Sequence, residues 1–312
     1  MHTGHSHEGQ NQAHDGHGHS HSAAGANEGR LRLVLLLSAS YMLVEVAAGL
    51  MTNSLALLAD AGHMLADVAG VSFALIAIHF ARRPANLAKT YGYYRLEMLA
   101  ALLNGLLLIA IAGYILIEAY LRFSDPPEFD GVPTLVVASV GLLINLFAAF
   151  WLHEAQKTSL NMRGAYLEVM SDLLGSVAVI VAAAIFLATG FALADVLASV
   201  FIGLFILPRT WGLIGQAVHV LLEGAPRNVD LGTVRQHILE VPGVVSVHDL
   251  HVWNLTSGMN VMSAHVVVGE EVSSKTVLDQ LNTCLGQHFD IEHSTFQIES
   301  PDRSATERLQ HN

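Results

Sequence analysis

Five ionisable side chains stand in stretches otherwise apolar enough to lie in lipid: Asp60, His63 and Asp67 in one, Glu168 and Asp172 in another. Ionisable groups at bilayer depth are costly to hold there and mark ion pathways or binding sites. His63 and Asp67 are four residues apart, as are Glu168 and Asp172. On a helix that spacing puts each pair on one face, a turn apart. Two such faces opposed offer one imidazole nitrogen and three carboxylates, a donor set that tetrahedral zinc accepts. Each residue alone has a plainer reading, as a packed histidine or an aspartate at the membrane interface. Two such pairs on separate apolar stretches favour a cation site. Asp60 shares the face of His63 and Asp67 but lies nearer the outer end, as a supporting or vestibule group. Glu45, Glu97, Asn104, Glu118, Asn145 and Asp195 read as interhelical hydrogen-bonding or interface residues.

The remaining histidines fall at the two ends. His2, His5, His7, His14, His17, His19 and His21 lie in a low-complexity head of Gly, Ser, Asn and Gln. Neutral imidazole binds zinc and copper, so the head reads as an ion-gathering accessory. Nothing in it can bury a core, so it is expected to be disordered. Near the other end, His248, His265, His293 and Glu299 fall on predicted strands. As cross-strand neighbours they form a second, cytoplasmic metal site, with a plain polar sheet face as the alternative. Strict alternation along a strand puts His248 and His251 on opposite faces.

The elements that position these residues follow from composition. The chain has 312 residues, 52% hydrophobic and only 13% charged. Soluble domains carry about a quarter charged residues, so the deficit points to lipid. A net charge of -12 with no basic stripe excludes nucleic acid as a partner. A single cysteine, Cys284, excludes an internal disulfide and any multi-cysteine zinc site. Met1 is followed by polar sequence, so no cleavable signal peptide is expected.

Six stretches approach the roughly 20 apolar residues that span a bilayer as a helix. They are Leu31–Met51, Leu55–Phe80, Leu96–Leu121, Val132–Leu152, Ala165–Ala188 and Leu193–Leu213. One set of alternate connections, with the span ends beside them, holds Arg30, Arg32, Arg82, Arg83, Lys89, Arg95, Lys157, Arg163, Arg209 and Arg227, and the other only Arg122. Basic residues collect on the cytoplasmic side, so both termini are expected there. The tail reads as helix, strand, strand, helix, strand, a small α/β sandwich of the split βαβ type. The expected division is a disordered head (1–29), a six-helix transmembrane domain (30–222), a cytoplasmic α/β domain (223–300) and a disordered tail (301–312).

Enzymatic readings fare poorly. An intramembrane metalloprotease needs H-E-x-x-H, but His153-Glu154 is followed by Lys157 where the second histidine belongs. No Walker A pattern appears either, so any active transport must draw on an ion gradient.

The runs NSLALLADAGHMLAD (53–67), YGYYRLE (91–97), AYLEVMSDLLGS (165–176), VHVLLEGAP (218–226) and VHDLHVW (247–253) resemble the cation diffusion facilitator family. The likeness is nearest to its bacterial cobalt–zinc–cadmium resistance type. The resemblance implies six transmembrane helices, a ferredoxin-like cytoplasmic domain and homodimers in the inner, cytoplasmic membrane. It also implies export of zinc, with cadmium or cobalt, in exchange for protons. The family's transport site matches His63, Asp67, Glu168 and Asp172. Many zinc members have histidine where Glu168 stands, so a carboxylate there hardens the site and broadens its range. His248, His265 and Glu299 match ligand positions of the cytoplasmic domain, where zinc would be a structural ion, and His293 is near another. The loop from Asn86 to Glu97 lacks the His and Asp that bind metal there in some members.

Overall fold

The computed structural model of the protein describes residues 18–304, apart from Thr158, Ser159, Ser257, Asp290 and Glu292. Six helices are long and apolar enough to cross a membrane. They lie within α1 (Gly18–Thr52), α2 (Leu55–Ala81), α3 (Leu96–Phe123), α4 (Gly131–His153), α5 (Leu160–Thr189) and α6 (Leu193–Leu221). Then follow α7 (Leu231–Leu239), β1 (Val244–Thr256), β2 (Met259–Val268), α8 (Ser274–Phe289), β3 (His293–Glu299) and the short α9 (Pro301–Ser304).

Two helices outrun the apolar pattern. Helix α1 starts at Gly18, inside the head expected to be disordered, because the alanine-containing run after Ser22 continues a helix already nucleated in the apolar part. Helix α6 continues past Pro208 and Arg209 to Leu221. Helix α9 occupies the first residues of the expected disordered tail.

The described residues form two compact units, one of those up to Leu65 with 115–202 and one of 66–114 with those from Gly203 on. In the first, Ala148, Ala149 and Leu152 of α4 are buried with Val169 and Leu173 of α5 and Val34 of α1. Small residues let helix backbones close where lipid supplies no hydrophobic drive. Gly141 of α4 shows the need, since a Cβ there would run into the Tyr41 ring of α1. The start of α2 is fixed from α6. The Asp195 carboxylate accepts hydrogen bonds from Ser54 Oγ at 2.5 Å and from the Leu55 amide at 2.6 Å. A carboxylate on the first amides of a helix satisfies orphan donors and complements the helix dipole.

In the second unit the sheet order is β1-β2-β3, with β1 and β2 antiparallel and β2 and β3 parallel across the α8 crossover. Helices α7 and α8 bury Val234, Ile238, Val277, Leu281 and Leu285 against Met262 and Val266 of β2. Each such side chain stabilises by about 1.5–3 kcal/mol on burial. Asp230 caps α7, accepting from the Gly232 and Thr233 amides at 3.2 Å. The Thr233 hydroxyl also donates to it at 2.6 Å, and this bond first, then the two amides, holds its carboxyl below the usual range. Within this unit Arg95 pairs with Glu223 at 2.6 Å, and Thr256 donates to Glu97.

Candidate metal centre

Helices α2 and α5 bring the first cluster together. His63 Nε2 lies 3.7 Å from Asp172 Oδ1 and 4.0 Å from Glu168 Oε1. The unit boundary at Leu65 falls in mid-helix, so the unbroken α2 fixes Asp67 one turn beyond His63. His63 and Asp172 thus bring ligand atoms within reach of one ion, and Asp67 extends the same face of α2. Glu168 stands at the edge of this group and is more exposed than Asp172, with 23% of its side-chain surface open against 7%. Asp60 is buried and turned to α5, where a Cβ at Gly175 would meet its carboxylate. The cluster therefore opposes one imidazole to carboxylates in a largely buried setting, which is chemistry for a divalent cation.

The second cluster lies in the sheet. His248 and His265 face each other in the β1–β2 register, their ring centres 5.2 Å apart. Glu299 of β3 pairs with Val267, two residues along β2 from His265. Its carboxylate lies 3.2 Å from His265 Nδ1 and 3.6 Å from His248 Nε2. These three residues form the other metal-capable group among the described residues. A strand bulge adds a residue that composition did not single out. Asp249 has φ 48, and its Oδ2 is 3.9 Å from His265 Nδ1.

That bulge corrects one expectation. His248 pairs with His265 and His251 with Ser263, so three steps on β1 match two on β2. The extra residue puts His251 on the same face as His248, where strict alternation placed it opposite. A second correction concerns His293. It pairs with Val261 at the start of β3 and makes an edge contact with the Tyr91 ring, 5.7 Å between centres. Six residues of strand carry it roughly 20 Å from Glu299, so it does not join the cluster. Of the head histidines, His2, His5, His7, His14 and His17 lie outside the described residues. His19 and His21 fall in the first turns of α1, and their side chains also lie outside the description.

Comparison with known proteins decides the family. The model of the cation efflux transmembrane domain matches residues 31–222. The chain belongs to the cation efflux family. A second model, the cytoplasmic domain of cation efflux proteins, matches residues 226–301. The metal cation efflux system protein CzcD of Cupriavidus metallidurans is 49% identical over 278 residues, covering 89% of this chain and 88% of that protein. The cadmium, cobalt and zinc/H(+)-K(+) antiporter of Bacillus subtilis is 42% identical over 265 residues, covering 83% of this chain and 85% of that protein. The zinc transporter ZitB of Escherichia coli is also 42% identical over 265 residues, covering 84% of each. As a cation efflux protein the chain is a multi-pass membrane protein whose six helices precede a C-terminal cytoplasmic α/β domain.

Proposed function

We propose that this protein exports divalent transition-metal cations from the cytoplasm, zinc first and cadmium or cobalt with it, in exchange for protons. It is a secondary active transporter and not an enzyme. The observation that carries the reading is the approach of His63 to Asp172 and Glu168 on two membrane-spanning helices, with Asp67 one turn on from His63. The relatives' efflux and antiport names point the same way.

His63, Asp67 and Asp172 bind the cation, and Glu168 joins from the edge as the fourth donor. A divalent ion with three carboxylates and a neutral imidazole leaves the filled site near a net charge of -1. The same site empty and fully deprotonated carries three negative charges, which burial in lipid makes costly. Metal ligands must be deprotonated, so loading expels protons and release takes them up. An imidazole titrates near neutral pH, so His63 is the natural proton carrier, shared with a neighbouring carboxylate. The cycle is metal outward and protons inward, with access to the site alternating between the two sides.

The lopsided arginine and lysine content supports cytoplasmic termini in the inner membrane. The match of the C-terminal domain supports a homodimer that meets through it. The matched regions, 31–222 and 226–301, support a transmembrane domain at 30–222 and a cytoplasmic domain at 223–300. His248, His265 and Glu299, with Asp249, hold a zinc ion that steadies the cytoplasmic domain. The His-rich head gathers ions at low supply.

The test uses the reconstituted protein with membrane voltage clamped. An imposed pH gradient should drive zinc against its own gradient. Zinc flux indifferent to that pH gradient would end the antiport reading.

A further inference from the structure

Glu45 of α1 is a fully buried acid inside a membrane-spanning helix, and the metal cluster does not use it. Its Oε1 lies 3.1 Å from the hydroxyl oxygen of Tyr41, one turn back on α1. That same hydroxyl oxygen lies 3.1 Å from the Val137 carbonyl oxygen of α4. Gly141 lets the ring come so near, since a Cβ there would strike the hydroxyl. Glu45 Oε2 has no hydrogen-bond partner among the described residues.

Counting protons decides the state of this row of oxygens. Two contacts of hydrogen-bond length join three oxygens, and each contact needs a proton. A carbonyl only accepts, and a tyrosine hydroxyl has a single proton to give. Tyr41 therefore donates to Val137, and the other proton belongs to Glu45, which donates from Oε1 to Tyr41. An ionised Glu45 would leave the Tyr41 and Val137 oxygens, or the Tyr41 and Glu45 oxygens, without a proton between them. It would also bury a charged Oε2 unpaired, which costs far more than an unpaired neutral oxygen. Glu45 thus holds a proton in this arrangement of the helices.

The proton sits beside the transport cluster. Helices α1 and α2 close on each other at Gly49, where a Cβ would run into Leu58. Glu45 is one turn before Gly49 on α1, and Asp60 is in the next turn of α2 after Leu58. Asp60 is itself buried, with Oδ1 unpartnered, and stands three residues before His63 on the same helix face. The acidic groups whose charge Glu45 feels are Asp60 from α2 and, more weakly, Asp172 from α5, while α4 presents the Val137 carbonyl.

We propose that Glu45 is a proton-binding site of the exchange cycle, separate from the metal ligands, which holds one proton and passes it to the emptied cluster by way of Asp60. This rests on the antiport reading and adds a second proton carrier to His63. The terminal torsion of a glutamate is soft, so the acid can turn its O–H from Tyr41 toward Asp60. The O–H bond at Glu45 breaks, and an O–H or N–H bond forms on the cluster. Water on the side from which protons enter then restores the proton to Glu45. A packed structural acid would instead keep its proton throughout.

The test is E45Q in the reconstituted full-length chain. Glutamine has the size of the protonated acid and keeps a polar group toward Tyr41, but it cannot pass on a carboxyl proton. Zinc flux driven by an imposed pH gradient, with voltage clamped, should fall at least about tenfold. Exchange of labelled zinc for unlabelled zinc without a pH gradient needs no proton uptake, and it should stay close to that of the parent. Infrared difference spectra should show the carbonyl band of a protonated carboxyl in the parent and not in E45Q. Parent-like pH-driven flux in E45Q would overturn the proposal, because a packed neutral acid would then suffice. Equal losses of both fluxes would overturn it too, since Glu45 would then serve the helix packing or the metal path. A carboxyl band unchanged by E45Q would do the same. A parent chain whose zinc flux ignores the pH gradient would end the antiport reading itself, and this proposal with it.

Discussion

The membrane cluster and the sheet cluster offer similar donors on different scaffolds. In the membrane, His63, Asp67, Glu168 and Asp172 come in pairs whose spacing a single helix dictates. In the sheet, His248, His265 and Glu299 come from three strands, and only the register brings them together. The sheet cluster has two imidazoles around one nearly inaccessible carboxylate, Glu299 at 3% exposure. The membrane cluster has one imidazole among carboxylates, with Glu168 partly open. More nitrogen and less access suit a resident ion. More carboxylate and an open edge suit an ion that must leave and be replaced by protons.

That contrast breaks first at Asp172. D172A or D67A should reduce zinc efflux to background in inside-out vesicles while the protein still inserts and dimerises. E299Q should leave maximal efflux little changed. Equal losses in both variants would remove the distinction between a transporting and a resident site. Binding to the cytoplasmic domain gives the converse and the next largest effect. E299Q should weaken zinc retention there by at least the roughly 10–100-fold that losing a supporting group alone costs, since Glu299 is itself a donor. D172A should not alter it. Calorimetry on each variant, with the other cluster disabled, reads the two separately. A smaller effect is expected at Glu168. E168H replaces one carboxylate by an imidazole, so zinc efflux should persist while the range of metals narrows, with the rate for cobalt falling relative to zinc. An unchanged metal ranking would mean that Glu168 lies outside the coordination sphere.

The same contrast explains what was legible in the sequence. Both helical pairs could be read because one turn brings residues four apart onto one face, whatever else the helix touches. The spans could be read because lipid demands long apolar runs, and the tail's strand order survived because alternation and turn residues are local signals. His293 misled because nothing local states how far along β3 the partner of His265 falls. Asp249 stayed hidden because a bulge is one extra residue in a ladder, visible only against the partner strand. The N-terminal reach of α1 was missed for another reason: polar residues do not stop a helix that the membrane part has already nucleated.

The smallest expected effect concerns that bulge, and it separates two explanations for Asp249. Its φ of 48 lies in the left-handed region, which costs an ordinary side chain roughly 1–2 kcal/mol and costs Asn, Asp or Gly less. Asp249 is therefore retained either for this backbone shape or for its carboxylate, 3.9 Å from His265 Nδ1. D249N keeps the shape and the size but loses the charge. D249G keeps the shape and loses the side chain. D249A loses both the carboxylate and easy access to the conformation. If the carboxylate helps hold the ion, all three variants should bind zinc a few-fold more weakly in the domain, with D249A also lowering its melting temperature. If only the bulge matters, D249N and D249G should bind like the parent, and D249A alone should fall short. The geometry favours the first pattern. The bulge turns the Asp249 carboxylate toward the histidine that Glu299 already approaches, and a second carboxylate there would offset the ion's second charge. Zinc affinity of D249N equal to that of the parent would remove Asp249 from the site and leave Glu299 as its only carboxylate.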